Sequence, residues 1–144
     1  MLDHGVNLVD TAAGYRGSEE AIGRSIGSRR DDFVLVSKCG QAFDDLPGEP
    51  WSEELISSTI ERSLARLQTD YLDVMLLHTC DLEVLERGEA VGALVRAREA
   101  GKIRFAGMSG HGGRLVECLE WSLDHELLDV ILVGYNFGHD RSLI

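Results

Sequence analysis

Apolar residues gather in five short runs along the chain, and helical patterns fill the stretches between them. Val6-Asn7-Leu8-Val9, Phe33-Val34-Leu35-Val36-Ser37, Leu72-Asp73-Val74-Met75-Leu76-Leu77, Ile103 to Ser109 and Asp129 to Tyr135 each read as a strand. After the first run, Ser18-Glu19-Glu20 offers an N-cap with acids in the first turn. Ile22 and Ile26 then share a face, and Gly27 supplies a stop. Ser52 caps a second helical run, in which Ile56, Ile60, Leu64 and Leu67 repeat. A third helix presents Ala90, Val91, Leu94 and Val95 before Gly101-Lys102, and a fourth presents Leu115, Leu119 and Leu123. A Gly/Pro/Asp-containing loop from Cys39 to Trp51 and a loop rich in Asp and Glu after His78 complete the pattern.

Five strands alternating with four helices imply a parallel sheet. From Asp10 to Lys38 is 28 residues, to His78 a further 40, to Ser109 a further 31 and to Tyr135 a further 26. These intervals sit close to the ~30 residues of a βαβ unit. A closed (β/α)8 barrel typically takes ~250 residues, so a 144-residue chain supplies five of eight strands at most. An open doubly wound sheet is the alternative that length alone favours. However, no GxGxxG follows the first strand, and the glycines of Gly14-Tyr15-Arg16-Gly17 are spaced wrongly for that fingerprint. Residues 1–144 read as a single domain, without repeats, low-complexity tracts or a linker.

Composition narrows the function classes. The chain is 44% hydrophobic and 27% charged, enough apolar material for a core. A net charge of −11 argues against nucleic acid or anionic membranes as partners. It does not exclude a phosphate-bearing cofactor, which one local cation or helix N-terminus can bind. No apolar run is long enough to span a bilayer, and no signal segment is evident. Cys39, Cys80 and Cys118 form neither a CxxC pair nor a metal-like cluster. Their odd count fits a reducing cytoplasm better than a disulfide-stapled secreted scaffold.

Candidate chemistry lies at the strand ends. Asp10, Tyr15, Lys38 and His78 sit at or just past three of the apolar runs. In a parallel βα architecture those ends share one rim, where separate strands can build a site. Each residue alone has a plainer reading. Asp10-Thr11 could cap the next segment, Lys38 could be a solvated loop charge, and His78 could be a hydrogen-bonded packing residue. Together a carboxylate, phenol, amine and imidazole form a proton-transfer set.

Those residues also carry a resemblance. Gly5-Val6-Asn7-Leu8-Val9-Asp10-Thr11-Ala12, with Tyr15 and Gly17-Ser18-Glu19-Glu20, resembles the first signature of the aldo-keto reductase family. Val36-Ser37-Lys38, Ser63-Leu64 with Leu67, Asp70-Tyr71-Leu72-Asp73 leading to Leu76-Leu77-His78, Gly101-Lys102-Ile103-Arg104 and Gly107-Met108-Ser109 follow in the family's order. The resemblance runs from Gly5 to Asn136. It implies a (β/α)8 TIM-barrel fold, here an incomplete barrel of about five parallel strands and four helices. The implied activity is reduction of an aldehyde or ketone by hydride transfer from NADPH (or NADH).

On that resemblance Asp10, Tyr15, Lys38 and His78 match the catalytic tetrad, with Asp10, Ser109 and Tyr135 near the cofactor. The chemistry is coherent, because hydride transfer to a carbonyl leaves an alkoxide that needs a positioned acid. Tyr15 can supply the proton, an ammonium at Lys38 would ease its departure, Asp10 would keep Lys38 charged, and His78 could orient the carbonyl. Two positions depart from the family. Gly110, followed by His111-Gly112, stands where Asn usually follows the serine, and Leu132 stands where a Gln would precede Tyr135-Asn136. Neither replacement supplies a carboxamide.

The resemblance further implies that the first barrel strand and the last two are missing, with their binding loops. Open edges would then favour self-association. A catalytically silent cofactor-sensing or binding subunit, or an inert fragment, are the other readings. Phe43 and Trp51 are either pocket walls or loop anchors.

Overall fold

The structure, a computed structural model, describes residues 1–43 and 46–134. It contains one parallel sheet in the order β1-β2-β3-β4-β5. The strands are β1 Leu8–Asp10, β2 Val34–Cys39, β3 Leu72–Leu77, β4 Ile103–Gly110 and β5 Val130–Val133. The helices are α1 Ser18–Ile26, α2 Glu53–Leu67, α3 Leu82–Arg87, α4 Glu89–Glu99 and α5 Leu115–His125. The arrangement is an incomplete (β/α)8 barrel, in which β1 and β5 each pair on one side only among the described residues.

Strand periodicity divides the side chains between two faces. Leu35, Met75, Leu77, Ala106 and Met108 point toward the helices and join Ile56, Ile60, Leu67, Leu85 and Leu94 in the main core. On the opposite face Val36, Val74 and Leu76 form a second, smaller cluster with Val130. Leu8, Val34, Phe105 and Leu132 remain exposed, because nothing described packs over the inner face of the sheet. At Gly107 an added Cβ would stand 2.1 Å from the Val130 carbonyl oxygen and 2.6 Å from Leu76 Cδ2, so only glycine lets β5 approach β4 here.

Several sequence expectations meet their structures directly. Ser52 caps α2 by accepting the Leu55 N–H at 3.2 Å. Among the described residues five α-helices form, the four expected ones and α3, which lies in the acidic loop after His78. Asp81 caps that helix by accepting the Val84 N–H at 3.1 Å, and Leu82, Val84 and Leu85 are buried. Six residues are too few for a helical period to register in the sequence. The N-cap of α1 is Gly17 rather than Ser18, whose hydroxyl pairs instead with the Thr11 hydroxyl at 2.8 Å. On α5 the buried stripe is Leu115, Cys118 and Ser122, whereas Leu123 is 71% exposed. Serine and cysteine at two inward positions hide that stripe from a count of large apolar residues.

A buried carboxylate ties three strands into register. Asp73 on β3 accepts the Leu35 N–H of β2 at 2.8 Å, Arg30 Nη2 at 2.6 Å and Arg104 Nη1 of β4 at 2.9 Å. Both guanidinium groups also stack on the Tyr71 ring, at 4.1 and 4.2 Å from its centroid.

Candidate active site

The paired registers bring the carboxyl ends of β1, β2 and β3 level, with Asp10 opposite Val36 and Cys39 opposite Leu77. Side chains two residues apart share a face, so Asp10 and Lys38 both lie on the inner side of the sheet at this rim. Beyond β1 the chain turns tightly. Thr11 N–H donates to the Val36 carbonyl at 2.9 Å, Ala13 N–H to that of Lys38 at 3.2 Å, and Tyr15 N–H to that of Ala12 at 2.9 Å. Ala12 and Ala13 are buried beneath this turn, which returns Tyr15 over the strand ends.

Lys38 is only 3% exposed. Its ammonium donates to both Asp10 carboxylate oxygens, at 2.7 and 2.8 Å, and to the Thr11 carbonyl at 2.7 Å. Those three bonds use all three ammonium hydrogens. None of them goes to Tyr15, whose ring centroid lies 5.3 Å from the ammonium. Tyr15 is 47% exposed and presents its ring to the opening.

The His78 ring meets that of Tyr15 edge-on, with centroids 5.7 Å apart. Its backbone extends the β2–β3 ladder, the N–H donating to the Cys39 carbonyl at 2.9 Å. Its carbonyl accepts Gln41 Nε2 at 2.8 Å. Nδ1 is buried without a hydrogen-bond partner among the described residues. Burial, then the Lys38 charge, lowers the imidazole pKa below its ordinary value, with Asp10 opposing and His111 adding to the effect. At neutral pH the ring is therefore neutral.

Asp10, Tyr15, Lys38, His78 and Ser109 thus line one cavity of about 340 Å³, together with Thr79, Gly110, His111 and Leu132 to Gly134. Five of the six sequence candidates, Ser109 included, converge there, whereas Tyr135 lies outside the described residues. Phe43 packs on Gly14, where an added Cβ would be 2.6 Å from its ring, and Trp51 packs on Gly40, where the same distance is 2.3 Å. Neither aromatic lines the cavity, which makes both loop anchors.

The aldo/keto reductase family pattern matches residues 1–138. The chain belongs to the aldo/keto reductase family. Among its curated relatives, L-galactose dehydrogenase of Arabidopsis thaliana is 33% identical, over 97% of this chain and 45% of its own length. A crystal structure from Pseudomonas aeruginosa assigned to the aldo-keto reductases superposes with a TM-score of 0.81 at 33% identity, covering 98% of this chain and 56% of that one. An aldo/keto reductase from Klebsiella pneumoniae, solved with NADP and acetate, gives 0.73 at 36% identity, over 93% of this chain and 45% of its own. The chain spans about half the length of these relatives.

Within this aldo/keto reductase chain, the structure adds Gln41 and Thr79, and places two of the departures from the family in the cavity. Gln41 holds the His78 carbonyl and Thr79 N–H is held by Ser109, and nothing in the types of Gln41 and Thr79 marks them out. His111 lines the cavity at the position where the family usually has asparagine a residue earlier, so the Ser-Gly-His departure was itself the available signal. Leu132, replacing the expected Gln, also faces the cavity. The three cysteines are buried. Burial raises the Cys80 thiol pKa to about 12 and raises those of Cys39 and Cys118 as well, which leaves them in the unreactive thiol form. Among the described residues no group of three or more His, Cys, Asp or Glu could hold a metal ion, and no helix is long and apolar enough to cross a membrane.

Proposed function

We propose that this chain carries the proton-transfer half of a reductase that converts aldehydes or ketones to alcohols with NADPH, or NADH, as reductant. The observation that carries the reading is the convergence of Asp10, Tyr15, Lys38 and His78 on one cavity. The donor set fits a nicotinamide and a carbonyl: an exposed phenol, a neutral imidazole and a buried serine border an opening that lies within the ~300–1,000 Å³ range of small-molecule pockets. Ser109 and Asp10 are the residues that would border the nicotinamide, and Tyr135 is assigned the same role from the sequence alone. When bound, the nicotinamide supplies the hydride.

The chain's own residues do the rest. Tyr15 holds the proton at its hydroxyl and delivers it as negative charge grows on the substrate oxygen. Lys38 presents its positive charge 5.3 Å from the phenol ring centroid, where it stabilises the negative charge that develops in the transition state. Asp10 and the Thr11 carbonyl keep the ammonium in place. The neutral His78, with Nδ1 turned into the protein, has Nε2 available as the donor that orients the carbonyl. The substrate is a small carbonyl compound, and the setting a cytoplasm, where free buried thiols persist. The edges of β1 and β5, which have no strand partner among the described residues, and the exposed inner-face apolar residues support self-association.

The test begins with an NADPH titration followed by quenching of Trp51 and Trp121 fluorescence, with light scattering to report size. Reduction of 4-nitrobenzaldehyde is then assayed. Tyr15→Phe is expected to abolish turnover while NADPH affinity stays within about twofold, since uniform binding is untouched. Lys38→Met is expected to behave similarly. Turnover retained by Tyr15→Phe refutes the assignment of Tyr15 as acid, and saturable binding without turnover by the unaltered chain favours a sensor or binding subunit.

A further inference from the structure

The residue after His78 is in an unusual state. Thr79 has φ 57°, a left-handed backbone that β-branched residues seldom adopt. Such strain persists where the surroundings over-determine it. Its N–H donates to Ser109 Oγ of β4 at 2.9 Å, and the same hydroxyl donates to the Leu77 carbonyl at 3.3 Å. One buried hydroxyl therefore grips the peptide groups on both sides of His78.

We propose that Ser109 is a positioning residue for His78, acting through the strained Thr79 turn. The proposal deepens the reading of His78 as the group that orients the carbonyl, and rests on it. The His78 ring has no hydrogen bond at Nδ1 among the described residues and only an edge contact with Tyr15. Its direction is consequently set by its backbone. Cys39 and Gln41 hold the His78 N–H and carbonyl from β2 and the loop after it. Ser109 supplies the third hold, from the other neighbouring strand. Without it Thr79 loses the partner of its N–H and can relax out of the left-handed region, rotating the adjoining peptide.

The hydroxyl has one proton and two lone pairs. The proton goes to Leu77 and one lone pair receives Thr79, so a single acceptor site is left. A bound group that reaches Ser109 must therefore donate to it, as an amide NH2 does.

Ser109→Ala removes the hold without adding bulk. Thr79→Gly removes the strain, because glycine adopts positive φ freely. In carbon–proton NMR spectra of the purified chain, with His78 assigned from the spectrum of His78→Gln, Ser109→Ala is expected to move and broaden the His78 ring signals. Adding Thr79→Gly is expected to return them. In turnover, Ser109→Ala is expected to lower kcat about tenfold, the order of loss for a slightly misplaced group, with at least half of that loss recovered in the double variant. Should Ser109→Ala not fold, Ser109→Cys, which keeps a weak donor and acceptor, is expected to shift the same signals by a smaller amount. Unmoved ring signals, or no recovery with glycine at 79, would overturn the proposal. A chain that neither binds NADPH nor turns over would remove the functional reading, while the ring signals would still decide whether Ser109 positions His78.

Discussion

Replacing Asp73 with Ala should destabilise the chain more than any change at an exposed ion pair, and the structure lets the loss be worked out. The Asp73 and Arg30 side chains are 9% and 11% exposed. Removing one partner of a buried pair costs about 3–5 kcal/mol, because the other charge stays buried. Arg30 keeps the Phe33 and Tyr71 carbonyls and the Tyr71 ring, which places its share at the low end of that range. The Leu35 N–H loses its acceptor, a further ~1–3 kcal/mol. Arg104 is 59% exposed and adds little. The sum is about 4–6 kcal/mol, a large part of the ~5–15 kcal/mol typical of a domain. With a urea slope of about 2 kcal/mol/M, the unfolding midpoint should fall by about 2–3 M. Asp73→Asn keeps an acceptor but loses the charge, and should cost about half as much. Circular dichroism against urea measures all three chains. A loss under about 1 kcal/mol for Asp73→Ala would refute the reasoning. So would strict additivity with Arg30→Met, because residues in direct contact should couple.

Two predictions concern titration and access. The His78 pKa is lower folded than unfolded, so the unfolded chain binds the proton first. The stability contribution of the neutral ring is complete above about pH 6.5 and is lost as pH falls from there through the lowered folded value. Urea midpoints of the unaltered chain and His78→Gln should therefore converge below about pH 6.5, and a constant difference between pH 7 and pH 5 would contradict this. With Cys80 raised to about 12 and Cys39 and Cys118 also raised, all three thiols should resist iodoacetamide at pH 8 and react on unfolding in urea. Rapid labelling of the folded chain, read by mass spectrometry, would show the burial to be wrong.

Much of the architecture was legible because parallel strands buried on their helix-facing side carry dense apolar runs. The pattern failed where the signal was short or chemically mixed. Six-residue α3 was hidden in an acidic stretch, and the inward stripe of α5 uses Cys118 and Ser122 in place of large apolar residues. The exposure of Leu123 follows from that. The candidate site was legible for a different reason. Its four polar residues stand at or just past strand ends, and a shared rim follows from the parallel direction of the strands alone.

The sequence by itself determined which residues could do proton chemistry, that they stand at the ends of parallel strands, and which family the chain resembles. Tertiary structure decided how those groups are used. Only the fold commits all three Lys38 hydrogens to Asp10 and Thr11, turns His78 Nδ1 inward without a partner, and sets Ser109 against the backbone beside His78. Only the fold makes Asp73 a link between strands whose ends carry the site. The reason is physical. Strand pattern and direction are local properties of the chain, readable within a few residues. Burial, charge proximity and the choice of hydrogen-bond partner arise between segments about 30 residues apart, and exist only after the strands have paired.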